Sequence, residues 1–305
     1  NLIDGIPEEK IININRKKNS KNIFDFFKLY HSIFKLKPNI IHIHFYNLLR
    51  ILKPLKKILR FKIVLTIHGM DDFDKSIKLS DKVVAVSKTH FNHIINNCTK
   101  QNWYINNLTM IYNGINTGSS LLKVGSKSNH KKFFIVGRLN HHQKKQDIII
   151  DVFHKHLKSS PNDTLTIFGD GDSRNYLNEK IKNYRLEENI FIKGSVSNNI
   201  LIKSMNEFDA MISGADYETF GINLIESLFF GIPVISYYAE TAIEVCGKNP
   251  LSHFYQSDKE LLEKMKNFSN NINMHQRQLS KNHIKKNYDL NITVDNYLKL
   301  YKDIL

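Results

Sequence analysis

The chain is poor in the residues that staple or span. Its 305 residues include two cysteines, Cys98 and Cys246. They lie far apart and in no metal-ligand spacing, which argues against a disulfide scaffold and fits a reducing compartment. No run approaches the roughly 18 consecutive apolar residues of a membrane-spanning helix. The start, N-L-I-D-G-I-P-E-E-K, has neither an initiator Met nor the basic-then-apolar profile of a signal peptide. The chain therefore reads as cytoplasmic and trimmed at its N-terminus. There is no internal repeat and no low-complexity block beyond Asn/Lys enrichment. Acidic residues are scarce as well: 29 Asp+Glu stand against 44 Lys+Arg, a net charge of +15.

That excess is uneven. Residues 1–60 carry 13 Lys/Arg and only Asp4, Glu8, Glu9 and Asp25 in opposition. A polyanionic partner, an anionic membrane surface or simple solvated surface would each account for it. A nucleic-acid binder needs aromatic-plus-basic platforms or a recognition motif; neither is present, so no nucleic acid is expected. The segment from Arg50 to Lys62, R-I-L-K-P-L-K-K-I-L-R-F-K, has no acid. Leu48, Leu52, Leu55 and Leu59 recur on one side and basic residues on the other, with Pro54 starting or kinking the helix. Such a helix either lies on an anionic membrane, as a peripheral protein on the inner face of a cell membrane would, or packs as ordinary surface.

What the chain does have is 41% hydrophobic and 24% charged residues, enough apolar material for two cores. Short β-branched runs alternate with longer amphipathic stretches, the pattern of parallel sheets covered by helices. Strands are expected at 40–45, 63–68, 83–87 and 110–112, more weakly at 11–14, with helices at 22–36 and 89–97. Residues 117–132 are small and polar without periodicity, as in an interdomain linker. The alternation then restarts, with strands at 133–136, 165–168, 190–192, 210–212 and 234–236 and helices at 147–157, 174–184 and 222–229. From Lys259 the pattern is helical, ending in a stripe of Tyr297, Leu298, Tyr301 and Leu305. The chemistry-bearing residues should sit at the carboxyl ends of the strands, where such sheets bind ligands.

Four features stand at those ends. Val136-Gly137-Arg138-Leu139 closes a strand with a glycine that admits close backbone approach, and Arg138 with Lys144 beyond it suits a diphosphate. Solvated Arg and Lys would look the same. Phe168-Gly169-Asp170-Gly171-Asp172 is a glycine-rich strand-to-helix turn, or merely a tight one. The string from Ser213 to Glu226, S-G-A-D-Y-E-T-F-G-I-N-L-I-E, leaves a strand, crosses a loop and enters an amphipathic helix whose core stripe is Ile222, Ile225 and Phe229. Backbone N–H groups at Phe220, Gly221 and Ile222 would form an anion site there. Glu218 either serves chemistry or compensates the helix dipole, and Glu226 lies a turn or more inside the helix. Phe230-Gly231-Ile232-Pro233-Val234 ends the helix and opens the next strand, a structural device.

Together these strings, V-G-R-L-N-H-H-Q-K-K-Q-D, F-G-D-G, E-T-F-G-I-N-L-I-E and F-G-I-P-V-I-S, resemble the retaining glycosyltransferases of family four. The likeness is to members of the bacterial lipopolysaccharide, capsule and exopolysaccharide type. P-N-I-I-H-I-H-F, V-L-T-I-H-G, S-D-K-V-V-A-V-S and I-Y-N-G-I-N are similar to that family's first-domain strand ends. Thr219 stands where the family often has Gly, and the loop after Arg138 is one residue longer. Lys144 is preferred over Lys145 for its Q-K-x-Q-D context. The family opens with a strand, a glycine-rich loop and a helix that nothing here matches.

The resemblance implies an α/β chain of GT-B fold: two Rossmann-like, doubly wound parallel-sheet domains facing a cleft, the first lacking its initial βα unit. It implies an acceptor-side domain over residues 1–122, a donor-binding domain over 123–285, and a last helix, 286–305, crossing back to the first. The implied reaction moves a sugar from a nucleotide-diphosphate sugar to a glycan or lipid-linked acceptor, with retention of configuration, no cofactor and no required metal. Glu218 would grip the sugar hydroxyls, and His68 of T-I-H-G would contact the donor sugar or its phosphate. Gly137, Arg138, Lys144, Phe220, Gly221 and Ile222 would hold the diphosphate, with Glu226 and Val196 at the nucleoside. Of His42 and His44, one is expected to pack. His141, His142, His154 and His156 have no partner set for a metal, so none is assigned. Rival expectations are an inactive GT-B accessory subunit, a nucleotide-sugar epimerase and a polyanion-binding protein.

Overall fold

The computed structural model describes residues 23–70, 73–118, 130–269 and 271–305, with residues 23–26 described by backbone alone. The expected strand at 11–14, the front of the first domain and most of the linker at 117–132 lie outside these residues. The chain forms two compact units. One runs to Gly114 and includes Leu290–Leu305; the other is Ile115–Asp289.

In the first unit, α1 (Ile23–Leu36) precedes β1 (Ile40–Ile43), α2 (Leu48–Leu59), β2 (Lys62–Thr66), a 3₁₀ turn (Lys75–Leu79), β3 (Lys82–Ala85), α3 (Lys88–Lys100) and β4 (Leu108–Met110). The four strands are parallel in the order β1-β2-β3-β4. The apolar runs of β2 and β3 are continuous because both faces are buried. Ile63 and Leu65 of β2 point into a core shared with Leu49, Leu52 and Leu55 of α2. Val64 points the other way, joining Val84 and Ile111 under Tyr297 and Leu300 of the last helix, α12 (Leu290–Ile304). Each fully buried aliphatic side chain is worth about 1.5–3 kcal/mol.

One helix face differs from expectation and a second gains a residue. On α12 the buried side is Val294, Tyr297 and Leu300, with Tyr301 and Ile304 packed beside it. Leu298 and Leu305 are exposed; the i, i+3, i+7 spacing from Tyr297 through Leu300 to Ile304 selects that face. On α2 the expected Leu52 and Leu55 are buried with Leu49 added, Leu48 and Leu59 pack partly buried against the same core, the helix runs through Pro54, and Ile58 faces outward. Its cations are also divided. Lys56 Nζ donates to Asp81 at 2.6 Å and to the Leu79 carbonyl at 3.1 Å, and Arg50 pairs with Asp74. Lys53 and Lys57 remain on the exposed side.

The second unit carries β5 (Lys132–Val136), α4 (His141–Lys144), α5 (Gln146–Leu157), β6 (Thr164–Phe168), α6 (Arg174–Asn183), β7 (Ile190–Gly194), α7 (Asn198–Met205) and β8 (Ala210–Ser213). There follow α8 (Ile222–Phe229), β9 (Val234–Tyr237), α9 (Glu240–Cys246), β10 (Ser252–Tyr255), α10 (Asp258–Lys266) and α11 (Met274–Tyr288). The six parallel strands stand in the order β10-β9-β8-β5-β6-β7. The chain winds outward from β5 to β7, then returns to pair β8 against β5 and winds the opposite way. The point of reversal, between β5 and β8, is where a doubly wound sheet leaves a crevice at its strand ends. The two parallel-sheet α/β domains expected from the sequence are thus present.

Candidate functional site

The site is built on the carboxyl ends of the two central strands. Beyond β5 the chain is pinned from both sides. Gly137 N–H donates to the Phe168 carbonyl at 3.0 Å, Leu139 N–H to the Asp170 carbonyl at 3.0 Å, and the Gln146 amide to the Arg138 carbonyl at 2.9 Å. This close approach explains the F-G-D-G turn. Gly169 has φ +143°, and a Cβ placed there would lie 1.8 Å from the Gly137 carbonyl oxygen. Only glycine fits.

Asn140 caps α4, its side chain accepting from Gln143 N–H, and α4 delivers Lys144 toward β8. A Cβ on Gly214 would come within 3.0 Å of the Lys144 carbonyl and of Lys145 Cβ, so the β8 loop lies directly against this turn. Lys144 Nζ donates to Glu218 Oε1 in an ion pair whose side chains are 20% and 16% exposed. Lys145 pairs instead with Asp216 at 3.1 Å.

Glu218 does not cap α8. The N-cap is Gly221, in left-handed backbone at φ 84°, with no side-chain cap. A Cβ there would stand 3.4 Å from Glu218 Oε2 and 3.0 Å from Leu224 Cδ1, so the carboxylate sits under the helix start. Asn223 Nδ2 donates to the Val136 carbonyl at 2.7 Å, tying the first turn of α8 to the end of β5. Thr241 Oγ1 donates to the Glu218 carbonyl at 2.6 Å. At the far end of α8, Ser280 Oγ of α11 donates to the Leu228 carbonyl at 2.7 Å, and the buried Arg277 guanidinium donates to the Gly231 carbonyl. A small pocket of about 10 Å³ opens beside the loop, lined in part by Ser213, Glu218, Gly221, Ser236 and Thr241.

The structure therefore brings Gly137, Lys144, Glu218, Gly221 and the α8 N-terminus together. Phe220 is buried. Ile222, expected on the core stripe, is the first residue of α8 and is 43% exposed; the stripe is Leu224, Ile225, Leu228 and Phe229. Arg138 leaves the cluster: its guanidinium pairs with Asp172 at 3.2 Å, both well exposed. Glu226 is half-buried on α8. Burial pushes its carboxyl above the ordinary value, opposed by a hydrogen bond from Asn198 at the start of α7. Val196 lies two residues before Asn198, so the nucleoside candidates share one neighbourhood. Asn198, Asn223 and Thr241 went unselected in the sequence; Asn223 alone carried a signal, inside E-T-F-G-I-N-L-I-E.

In the first unit, His68 follows β2 and lies 2.8 Å from His44, His68 Nε2 against His44 Nδ1, with the rings stacked. His42 packs, holding Tyr301 at 2.5 Å and Thr66 at 2.8 Å. Burial, then neighbouring histidines, lower His42 to about 3 and His44 to about 4; burial lowers His68. Among the described residues no group of three or more His, Cys, Asp or Glu is placed to hold a metal ion, and no helix is long and apolar enough to cross a membrane.

A family model described as glycosyl transferases group 1 matches residues 121–286, and one described as glycosyltransferase family 4 matches residues 3–119. The chain belongs to the glycosyl transferases group 1 family. Among curated relatives, an uncharacterized glycosyltransferase of Methanocaldococcus jannaschii is 26% identical over 228 residues, 65% of this chain and 57% of the relative. The chain spans little more than half the length, or less, of the curated relatives it matches. Among solved structures, a glycosyltransferase of Rickettsia africae superposes with a TM-score of 0.76 at 21% identity, over 97% of this chain and 86% of that one. Anabaena HepE in complex with UDP and glucose gives 0.74 at 17%, over 94% and 84%. At these identities the likeness establishes the fold, which is GT-B.

Proposed function

We propose that this glycosyltransferase takes its sugar from a nucleoside-diphosphate donor held by the second unit, and passes it with retention of configuration to a glycan or lipid-linked acceptor without a metal. The observation that carries the donor assignment is the mostly buried Lys144–Glu218 pair under the α8 N-terminus, at the reversal point of the sheet. Breaking a sugar–phosphate bond loads negative charge onto the leaving diphosphate, which fixed cations and a helix N-terminus stabilise without reorganising. Lys144 and the start of α8 supply both, and Arg138 joins them by exchanging Asp172 for phosphate. Glu218 holds the sugar hydroxyls, and its carboxylate is the group Lys144 leaves when a diphosphate arrives. Glu226 accepts from the ribose hydroxyls, with Val196 against the base. His68 contacts the donor sugar or its phosphate. The UDP and glucose bound to Anabaena HepE support a nucleotide-sugar donor, and retention is carried over from the family-four resemblance. A thermal-shift panel of UDP, GDP and ADP in EDTA tests the proposal. Stabilisation of about 2.7 kcal/mol is expected at 100 times the dissociation constant; stabilisation only with Mg²⁺ would overturn the metal-free part. We further propose that Lys53, Lys57 and Ile58 on the exposed side of α2 touch an anionic membrane surface.

A further inference from the structure

We propose that His44 is a positioning residue for His68, holding its imidazole in one rotation and one tautomer. The proposal rests on the assignment of His68 to the reaction made above.

The geometry is direct. Two imidazole nitrogens stand 2.8 Å apart, His44 Nδ1 and His68 Nε2, with ring centroids 5.0 Å apart and planes inclined by 23°. One hydrogen lies between them, because two N–H groups would clash there and two lone pairs would repel. The protonation site of one ring therefore dictates that of the other. If His44 donates, His68 carries its own hydrogen on Nδ1; if His68 donates, its hydrogen is on Nε2. In either case the His68 ring is fixed about its side-chain bonds, as an orienting partner fixes a catalytic or metal-bound histidine.

His44 is itself braced. Its ring centroid lies 4.6 Å from that of His42. His42 is locked by Tyr301 and Thr66, and Thr66 in turn holds Tyr297 at 2.8 Å. The brace thus runs from α12 through β1 and β2 to His68. Around the pair stand His42 on β1, Thr66 on β2 and Tyr297 and Tyr301 on α12, with His90 of α3 bonded to the Gly69 carbonyl. The charge effects on His42 and His44 come from other histidines, and burial disfavours protonation of each. Burial disfavours a second proton on the pair, and the shared hydrogen orders the two rings.

The test uses the full chain and two substitutions of different character. His44→Asn keeps a hydrogen-bonding atom close to the position of Nδ1, whereas His44→Leu removes it. His44→Leu should lower kcat about 10²-fold, the scale of a small misplacement of a reacting group. His44→Asn should restore kcat to within about threefold of the parent. Nucleoside diphosphate affinity should fall by less than kcat in both, because most of the diphosphate contacts are assigned to the second unit. His44→Leu combined with His68→Ala should turn over no more slowly than His68→Ala alone; additive losses would overturn the proposal. The ring itself is read by long-range ¹H–¹⁵N correlation of labelled histidines. The parent should show His68 as one tautomer and His44→Leu an averaged mixture; an unchanged His68 pattern would overturn the positioning role. If His68→Ala turns over normally, the assignment of His68 to the reaction fails, and the tautomer spectra still decide what His44 does.

Discussion

Lys144 and Glu218, 74 residues apart, meet in a mostly buried ion pair because β5 and β8 are neighbours in the sheet. A buried pair of this kind is poor evidence for stability, since desolvation offsets much of the attraction. Its position is more telling. On the proposed reading the lysine exchanges one anion for another, carboxylate for diphosphate, while Glu218 turns to the sugar.

Gly169 is the sharpest structural dependency. Gly169→Ala should destabilise the second unit by more than about 3 kcal/mol, since the new methyl must displace backbone. Gly137→Ala should be milder, because the nearest atom to its Cβ is Lys144 Cε at 3.8 Å. Chemical denaturation of both variants would measure this, and equal losses would contradict it.

For Glu226, an alanine should weaken nucleoside diphosphate binding by about 1.5–3 kcal/mol, the worth of a charged hydrogen bond. Its raised carboxyl gives the pH dependence a sign. The acceptor is lost as pH falls, and because burial raises the group, the loss begins above the ordinary 4.5. Asn198 lowers it, so Asn198→Ala should move the onset to still higher pH. Calorimetric titration across pH 5–8 reads both, and an onset moving the other way would contradict the assignment.

The first unit should lose stability as pH falls. His90 is buried, and burial lowers it from 6.5 to about 4. Below pH 6.5 the unfolded chain takes up a proton that the folded chain refuses, so stability drops from there toward pH 4 and is level above 7. The slope is about 1.4 kcal/mol per pH unit for such a ring. Tm measured over that range should fall less steeply in His90→Gln; identical slopes would contradict it.

On α2 the cations separate into two classes. Lys53→Glu with Lys57→Glu should reduce binding to phosphatidylglycerol vesicles and leave Tm unchanged. Lys56→Glu should lower Tm instead, because it faces Asp81 across 2.6 Å. Vesicle binding that survives the first pair would return α2 to ordinary surface.

Much of this architecture was legible before the structure. The β-branched runs and their closing glycines placed β5, β6 and β8, and α8 spans Ile222–Phe229 as its periodicity indicated. β10 was not legible, since S-H-F-Y buries only Tyr255 and offers no alternation. Nor were the partners of Lys56 and Glu218, which depend on strands brought together by topology rather than on spacing. Ile222 was misplaced because periodicity sets a helix face and not how far along the helix the packing extends. The His44–His68 contact joins two adjacent strand ends in a register that no single strand reveals.

The most direct test of the donor site is calorimetric titration of UDP, GDP and ADP, in EDTA, against the parent, Lys144→Met and Glu218→Gln, with donor turnover measured alongside. Lys144→Met should bind at least about tenfold more weakly, a loss of about 1.4 kcal/mol or more. Glu218→Gln should bind as well as the parent or better, having released the lysine, yet lose about 10²–10³ in turnover. Three proteins with equal affinity, or a Glu218→Gln variant that turns over normally, would contradict the placement of the donor diphosphate and sugar at this ion pair.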